Sequence, residues 1–231
     1  MIQIKGWLYH LNSFGDFNLL WIFFIENLIL IILSIFVGLI IEFQNTVLNK
    51  KDFKWIFSTL VCNTLVTFIG FKLFILNYIQ LSFEFSILSF LVDLLWITVA
   101  MDFLMFVFHY FIHKLKWFYT LHKHHHLHIE TNVYSLYVLH PIETLGFGTL
   151  WLMVIMLFDF NFYSVSIYLI LNLTYGILGH LKSDIFPKFW SKNVLTKWIS
   201  TTTFHNHHHK DEEKNFGFYF TFWDKIFKTY K

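Results

Sequence analysis

Arginine is absent from the 231 residues, cysteine (Cys62) and alanine (Ala100) each occur once, and proline occurs twice. A lone cysteine excludes a disulfide framework and any cysteine-based metal site. Seventeen lysines against 15 acids leave a formal charge of +2. With no clustered Lys/Arg face, a nucleic-acid partner is not expected. Charge of either sign is scarce, at 14% of residues against roughly 25% in soluble domains. A lone soluble domain of this balance could not cover itself with polar side chains. Disorder would need low hydrophobicity and high net charge, and neither is present. Nine glycines and apolar runs without heptad spacing exclude collagen and coiled coil.

In place of these the chain has apolar length, aromatic rings and histidine. Hydrophobic residues make up 56%, and 31 residues are phenylalanine. A membrane-crossing helix needs about 20 mostly apolar residues. Residues 17–41, 55–81 and 85–108 supply such runs, carrying Glu26, Lys72, and the pair Asp93 and Asp102 respectively. Lys72 can snorkel to an interface. Two shorter runs, 142–158 and 162–179, are split by Asp159-Phe160-Asn161, which reads as a tight turn between antiparallel helices. The first run is too long for a cleaved leader. The expected class is an all-α, multi-pass integral membrane bundle.

Lysine placement gives an orientation. The 42–54 loop, the 109–141 stretch and the tail from residue 180 are lysine-rich, whereas the loops at 82–84 and 159–161 contain none. The positive-inside rule then predicts five crossings, an outside N-terminus and a cytoplasmic C-terminus. Thirteen of the 14 histidines fall within His109–His209, in those same lysine-rich segments.

Helical geometry sorts these histidines, at about 100° per residue. His109 and His113 are i and i+4, at the end of the third run. His122, His125 and His126 form H-x-x-H-H, one stripe of a helix, and His205, His208 and His209 repeat the spacing. His124, His128 and His207 fall on the far sides. Neutral imidazole is a ligand for divalent iron, copper, nickel and zinc. Eight facing histidines, with His180 as a ninth, are about twice what one four-coordinate ion can use. The expected site is therefore a helical cap holding two metals.

Blander readings exist for each feature. His10 is best taken as a surface histidine, and the tract from His124 to His128 could be a metal-buffering loop. That loop would not require the same spacing twice. The aromatic stripe from Phe216 to Phe227 reads as an interfacial belt or packing helix. Ionisable residues inside a span are functional candidates, and Asp102 is expected to hold a histidine tautomer from behind.

The order H-x-x-x-H (His109, His113), H-x-x-H-H (His122, His125, His126), H-P-x-E (His140 to Glu143), G-H (Gly179, His180) and H-x-x-H-H (His205, His208, His209) resembles the fatty acid hydroxylase and sterol desaturase superfamily. Asn215-Phe216-Gly217 and Trp223-Asp224 are similar to that family's elements after its last box. The resemblance covers roughly residues 90–228. It implies a membrane helical region, 1–84, followed by a catalytic region, 85–231. It also implies a cytoplasmic di-iron centre (zinc can replace the iron on purification), with O2 as co-substrate, a lipid substrate in the bilayer and an external electron donor. The implied reaction is hydroxylation or desaturation at an unactivated C–H bond. Tyr110 stands where the family often has arginine, and Lys228 where it often has glycine. A further family histidine near His180 is lacking, so Asp184 is its expected replacement, on the face of His180 if that segment is helical. His140 and Asp102 complete the set of additional candidates.

Two other classes compete with this expectation. A histidine-rich metal transporter should place its ligands near the middle of several spans, whereas these lie at span ends. A membrane zinc hydrolase would use a metal-bound hydroxide. H-E-x-x-H is absent from the sequence, which argues against a zinc protease.

Overall fold

The computed structural model describes residues 2–42 and 48–231. Residues 43–47 of the lysine-bearing 42–54 loop lie outside that description. The described residues are mostly helical, in the order α1 (Ile2–Asn12), α2 (Asp16–Glu42), α3 (Phe53–Ile75), β1 (Leu81–Ser82), α4 (Ile87–Lys114), α5 (Lys116–His126), α6 (Pro141–Leu157), β2 (Phe160–Asn161), α7 (Phe162–Gly179), α8 (Thr202–Lys210) and α9 (Phe222–Ile226).

Among the described residues, α2, α3, α4 and α7 are long and apolar enough to cross a membrane. Their apolar surface points outwards: only 17% of the most apolar stretch of α2 is buried within the protein. Phe17 and Leu88 are 73% and 71% exposed. A soluble protein would not present apolar area on this scale. The fifth expected crossing corresponds to α6. Its 17 residues give about 26 Å of helix, the lower limit for a span.

Local chemistry sets the ends of these helices. The apolar run at 55–81 predicts helix to residue 81, but α3 stops at Ile75. Asn77 adopts a left-handed conformation (φ 63°). The Asn77 amide donates to Phe74 O and the Tyr78 amide to Leu73 O, a Schellman stop that asparagine tolerates. The α6 helix begins at Pro141, where the missing N–H costs nothing. The break at 159–161 is the tight turn expected. It pairs with 81–82 in a two-residue parallel ladder and is held by Asp93, whose Oδ2 accepts the Asn161 amide at 2.7 Å. Asp93 is thus a structural anchor for that turn.

The core lies between α4, α6, α7 and the chain after α8, around Ile97, Met101, Val154, Phe160, Tyr168 and Tyr219. Close approach of α6 to α3 depends on Gly148, where an added Cβ would run into the side chain of Val66. At one end of the bundle Lys72 pairs with Asp16 at 3.0 Å. The opposite end collects the C-termini of α2, α4 and α7 and the N-terminus of α6. There the Lys182 amide reaches Glu42 Oε1 at 2.6 Å and Thr59 Oγ1 reaches Tyr137 O at 3.0 Å. The lysine-rich segments and the histidines gather at that end. With 28 residues, α4 is about 42 Å long, so its last turns extend beyond a bilayer core of about 30 Å.

Candidate metal centre

The last turns of α4 carry His109 and His113. At Leu115 the backbone turns to an extended conformation (φ −96°, ψ 111°), and α5 doubles back with its histidine stripe facing inwards. Thr201 caps α8 by accepting the Phe204 amide at 3.2 Å, which aims that helix's stripe at the same point. His180 comes directly after the last residue of α7.

All nine sequence-predicted histidines come together, in two adjoining groups. His109, His113, His122, His126 and His208 form one; His125, His180, His205 and His209 form the other. Within each group one nitrogen from every ring lies within 4.8 Å of all the rest. Thus α5 gives two rings to the first group and one to the second, and α8 gives one and two. The groups touch through the stacked rings of His126 and His209, whose centroids are 4.7 Å apart. His124 and His207 are exposed, as their far-side register predicts. His124 lies against Trp55 at 4.7 Å, and His128 Nε2 is 3.3 Å from Asp52 Oδ2.

Hydrogen bonds fix several tautomers. His109 Nδ1–H donates to Phe216 O at 3.1 Å, His208 Nδ1–H to Lys214 O at 2.7 Å, and His180 Nδ1–H to Gly176 O at 2.9 Å. His122 Nδ1–H donates to Glu143 Oε1 at 2.6 Å. Each of these rings then directs an Nε2 lone pair inwards. Those lone pairs face other nitrogens: His109 Nε2 lies 3.3 Å from His122 Nε2, and His180 Nε2 lies 3.4 Å from both His125 Nε2 and His205 Nε2. His208 Nε2 is buried without any hydrogen-bond partner among the described residues. Lone pairs set against lone pairs repel unless a cation sits between them. Nitrogens bound at about 2.1 Å to one ion would lie about 3.0–3.4 Å apart, depending on coordination angle. The residues fit a metal ion in each group.

Burial also keeps the donors neutral. Loss of solvent pushes His180 down to about 4, and His208 down to about 3. The same desolvation, with neighbouring imidazoles adding to it, holds His125, His205 and His209 well below the ordinary histidine range. Neutral imidazole is the metal-binding form. A small pocket reaches the second group from the side, lined by Tyr175, Leu178, Phe186, Phe218 and the rings of His180 and His205. Its walls are mostly apolar and aromatic.

The three additional candidates are placed differently from expectation. Asp102, expected to hold a histidine tautomer, does not reach one. Its carboxylate instead accepts from the Tyr219 amide at 2.7 Å, the Phe220 amide at 3.3 Å and Trp223 Nε1 at 2.9 Å. The His109 Nδ1–H is held by Phe216 O. Asp184 is expected on the His180 face of a helix, but residues 181–186 are not helical. Asp184 is exposed, and its Oδ2 caps α8 through the Thr203 amide at 3.1 Å. His140 caps α6, its Nδ1 accepting the Ile142 amide at 3.3 Å, outside both groups. Among the described residues the carboxylate that hydrogen-bonds a site histidine is Glu143, in the first turn of α6 and 4% exposed. H-P-x-E contained the signal: a proline-started helix puts its third residue one turn in, beside α5.

Comparison with known proteins agrees with this geometry. Among curated proteins, the cholesterol 25-hydroxylase-like protein of Danio rerio is 30% identical over 140 residues, 59% of this chain and 55% of that one. The cholesterol 25-hydroxylase of Homo sapiens is 28% identical over 147 residues, 62% of this chain and 53% of its own. The chain spans about half the length of these relatives. No solved structure matches it. The fatty acid hydroxylase family model matches residues 94–229, from the middle of α4 through both histidine groups to the segment behind them. That is more than half the chain and every residue of the centre, and the protein belongs to the fatty acid hydroxylase family.

Proposed function

We propose that the protein is a membrane-bound, di-iron lipid hydroxylase or desaturase that uses O2 and electrons from an external donor. The observation that carries this reading is the pair of imidazole groups, lone pairs converging, at the end of a bundle whose outer surface is apolar. The nine histidines hold the two ions, five at one position and four at the other. When bound, two redox-active ions there supply oxygen activation for attack on an unactivated C–H bond.

The chain's own residues bind, orient and exclude. Glu143 and the carbonyls of Gly176, Lys214 and Phe216 hold four rings in their metal-binding tautomers, and such partners commonly raise metal affinity. Phe216, 1% exposed, closes the first group against water. The small pocket beside His180 and His205 is lined mainly by apolar and aromatic side chains. Residues 1–84 serve as the membrane platform and residues 85–231 as the catalytic region. The lysine asymmetry supports a centre on the cytoplasmic side.

Sterols are the first substrates to offer, because one relative is named a cholesterol 25-hydroxylase and the other a cholesterol 25-hydroxylase-like protein. Lipids from membranes with and without the protein should differ by the mass of one added oxygen for hydroxylation, or of two lost hydrogens for desaturation. The product should require O2 and track iron content. A protein active with zinc alone and without O2 would be a hydrolase, and this reading would be wrong.

A further inference from the structure

The two histidine groups are anchored unequally. In the group of five, three rings are tied from behind: His122 by Glu143, His109 by Phe216 O and His208 by Lys214 O. In the group of four, among the described residues, only His180 has such a tie, to Gly176 O. The outward Nδ1 atoms of His125 and His209 have no hydrogen-bond partner among the described residues. His126, in the group of five, is similar, with Glu212 3.8 Å away.

Two of the three ties come from carbonyls that flank a single residue, Asn215, and that strap is itself held at many points. Asn215 sits at φ 60°. Its amide donates to Thr229 O at 3.0 Å, its side-chain nitrogen to Phe204 O at 3.1 Å, and its Oδ1 accepts the Lys231 amide at 2.8 Å. Asp224, fully buried, accepts the Phe216 amide at 2.8 Å, the Gly217 amide at 2.7 Å and Thr229 Oγ1 at 2.6 Å. A side chain at Gly217 would collide with Phe220 O. Asp102 then bolts residues 219–223 to α4, the helix that supplies His109 and His113. The Phe216 ring rests on His109, His113 and His208, with centroids at 5.8, 5.3 and 5.4 Å. All three belong to the group of five.

We propose that residues 214–231 are a clasp that sets the metal affinity of the five-histidine position alone, with Asn215 and Asp224 as its positioning residues. The five-histidine position therefore fills first and holds its ion, and the four-histidine position is the labile one. This inference rests on the two-ion reading above.

The test is anaerobic ferrous-ion titration of the full chain in detergent, against a competing chelator, with bound iron counted per chain. Wild type should take up two ions with separated affinities. Asp224→Asn should weaken one position by about 10–100-fold, the usual effect of losing a partner behind a metal ligand, and leave the other within about twofold. The effect should persist in a His180→Ala background, where the four-histidine position is already impaired. It should vanish in a His113→Ala background. Thr229→Val, which removes one bond to Asp224, should act in the same direction and more mildly; it serves where Asp224→Asn does not fold. Equal weakening of both positions, or of neither, overturns the clasp. A wild-type chain that takes up a single ion overturns the two-ion reading itself, and so the two failures are distinguishable.

Discussion

At the residue scale, chemically identical neighbours have opposite surroundings. His125 is 5% exposed and His208 is fully buried, whereas His124 and His207 face solvent. Replacing His125 or His208 with alanine should lower bound metal and abolish product, while His124→Ala and His207→Ala should keep both. Metal analysis and lipid mass spectrometry on the four variants check this, and the reverse pattern would show the helical register to be wrong. Glu143→Gln leaves His122 with a weaker partner and should reduce metal affinity about 10–100-fold, read by chelator competition. Acid should act on the metal-free protein in a fixed direction. His180 and His208 have folded values of about 4 and 3, below the ordinary value of about 6.5, so the folded chain resists protonation. Their stabilising contribution is complete above about pH 6.5 and is lost as pH falls towards 4 and then 3. The melting temperature of the metal-free protein should decline across that window, and a flat profile would contradict burial as the cause. Much of this scale was legible in the sequence: spacing alone separates His125 from His124. The partners of Asp102 were not, because they lie 117–121 positions along the chain, and periodicity reports a shared face without the groups that meet it.

At the element scale, the helices are short of room where α6 meets α3. Gly148→Leu should force Val66 aside and cost about 1–3 kcal/mol, measured by thermal unfolding in detergent. Gly6 has open space around it, so Gly6→Ala is the control and should leave the midpoint near wild type. The apolar runs located every long helix, since a bilayer-crossing stretch is a strong signal, though the run at 85–108 stops six residues short of the end of α4. They misplaced the end of α3, where one asparagine in a left-handed turn outweighs six further residues of hydropathy. They could not divide the nine histidines between two groups either. That division comes from how α4 and α7 approach α5 and α8, which is a property of packing. Asp184 failed for a related reason: its expected face presumed helix where the chain runs irregularly.

At the scale of the whole molecule, every lysine-rich segment that is described lies at the histidine end of the bundle, and the 159–161 turn lies at the other. In a Cys62→Ser background, a cysteine at Asp159 and one at Lys210 should label from opposite sides of the membrane with an impermeant thiol reagent. Asp159 and Lys210 are both exposed, so access is not limited by packing. Labelling of both from one side would mean that α6 and α7 form a re-entrant hairpin, which the 17 residues of α6 make the part of the topology most open to challenge.

The straddling of both histidine groups by α5 and by α8 has a consequence for how the gene can change. One residue inserted between His122 and His125, or between His205 and His208, rotates the rest of that helix by about 100° and removes rings from both groups at once. A single insertion at either of those places therefore cannot alter one metal position alone. Length variation among relatives should be confined to segments that do not set this phase, such as the connections at 127–139 and 185–199. Substitution of a single ring, by contrast, alters one position while its neighbour is kept.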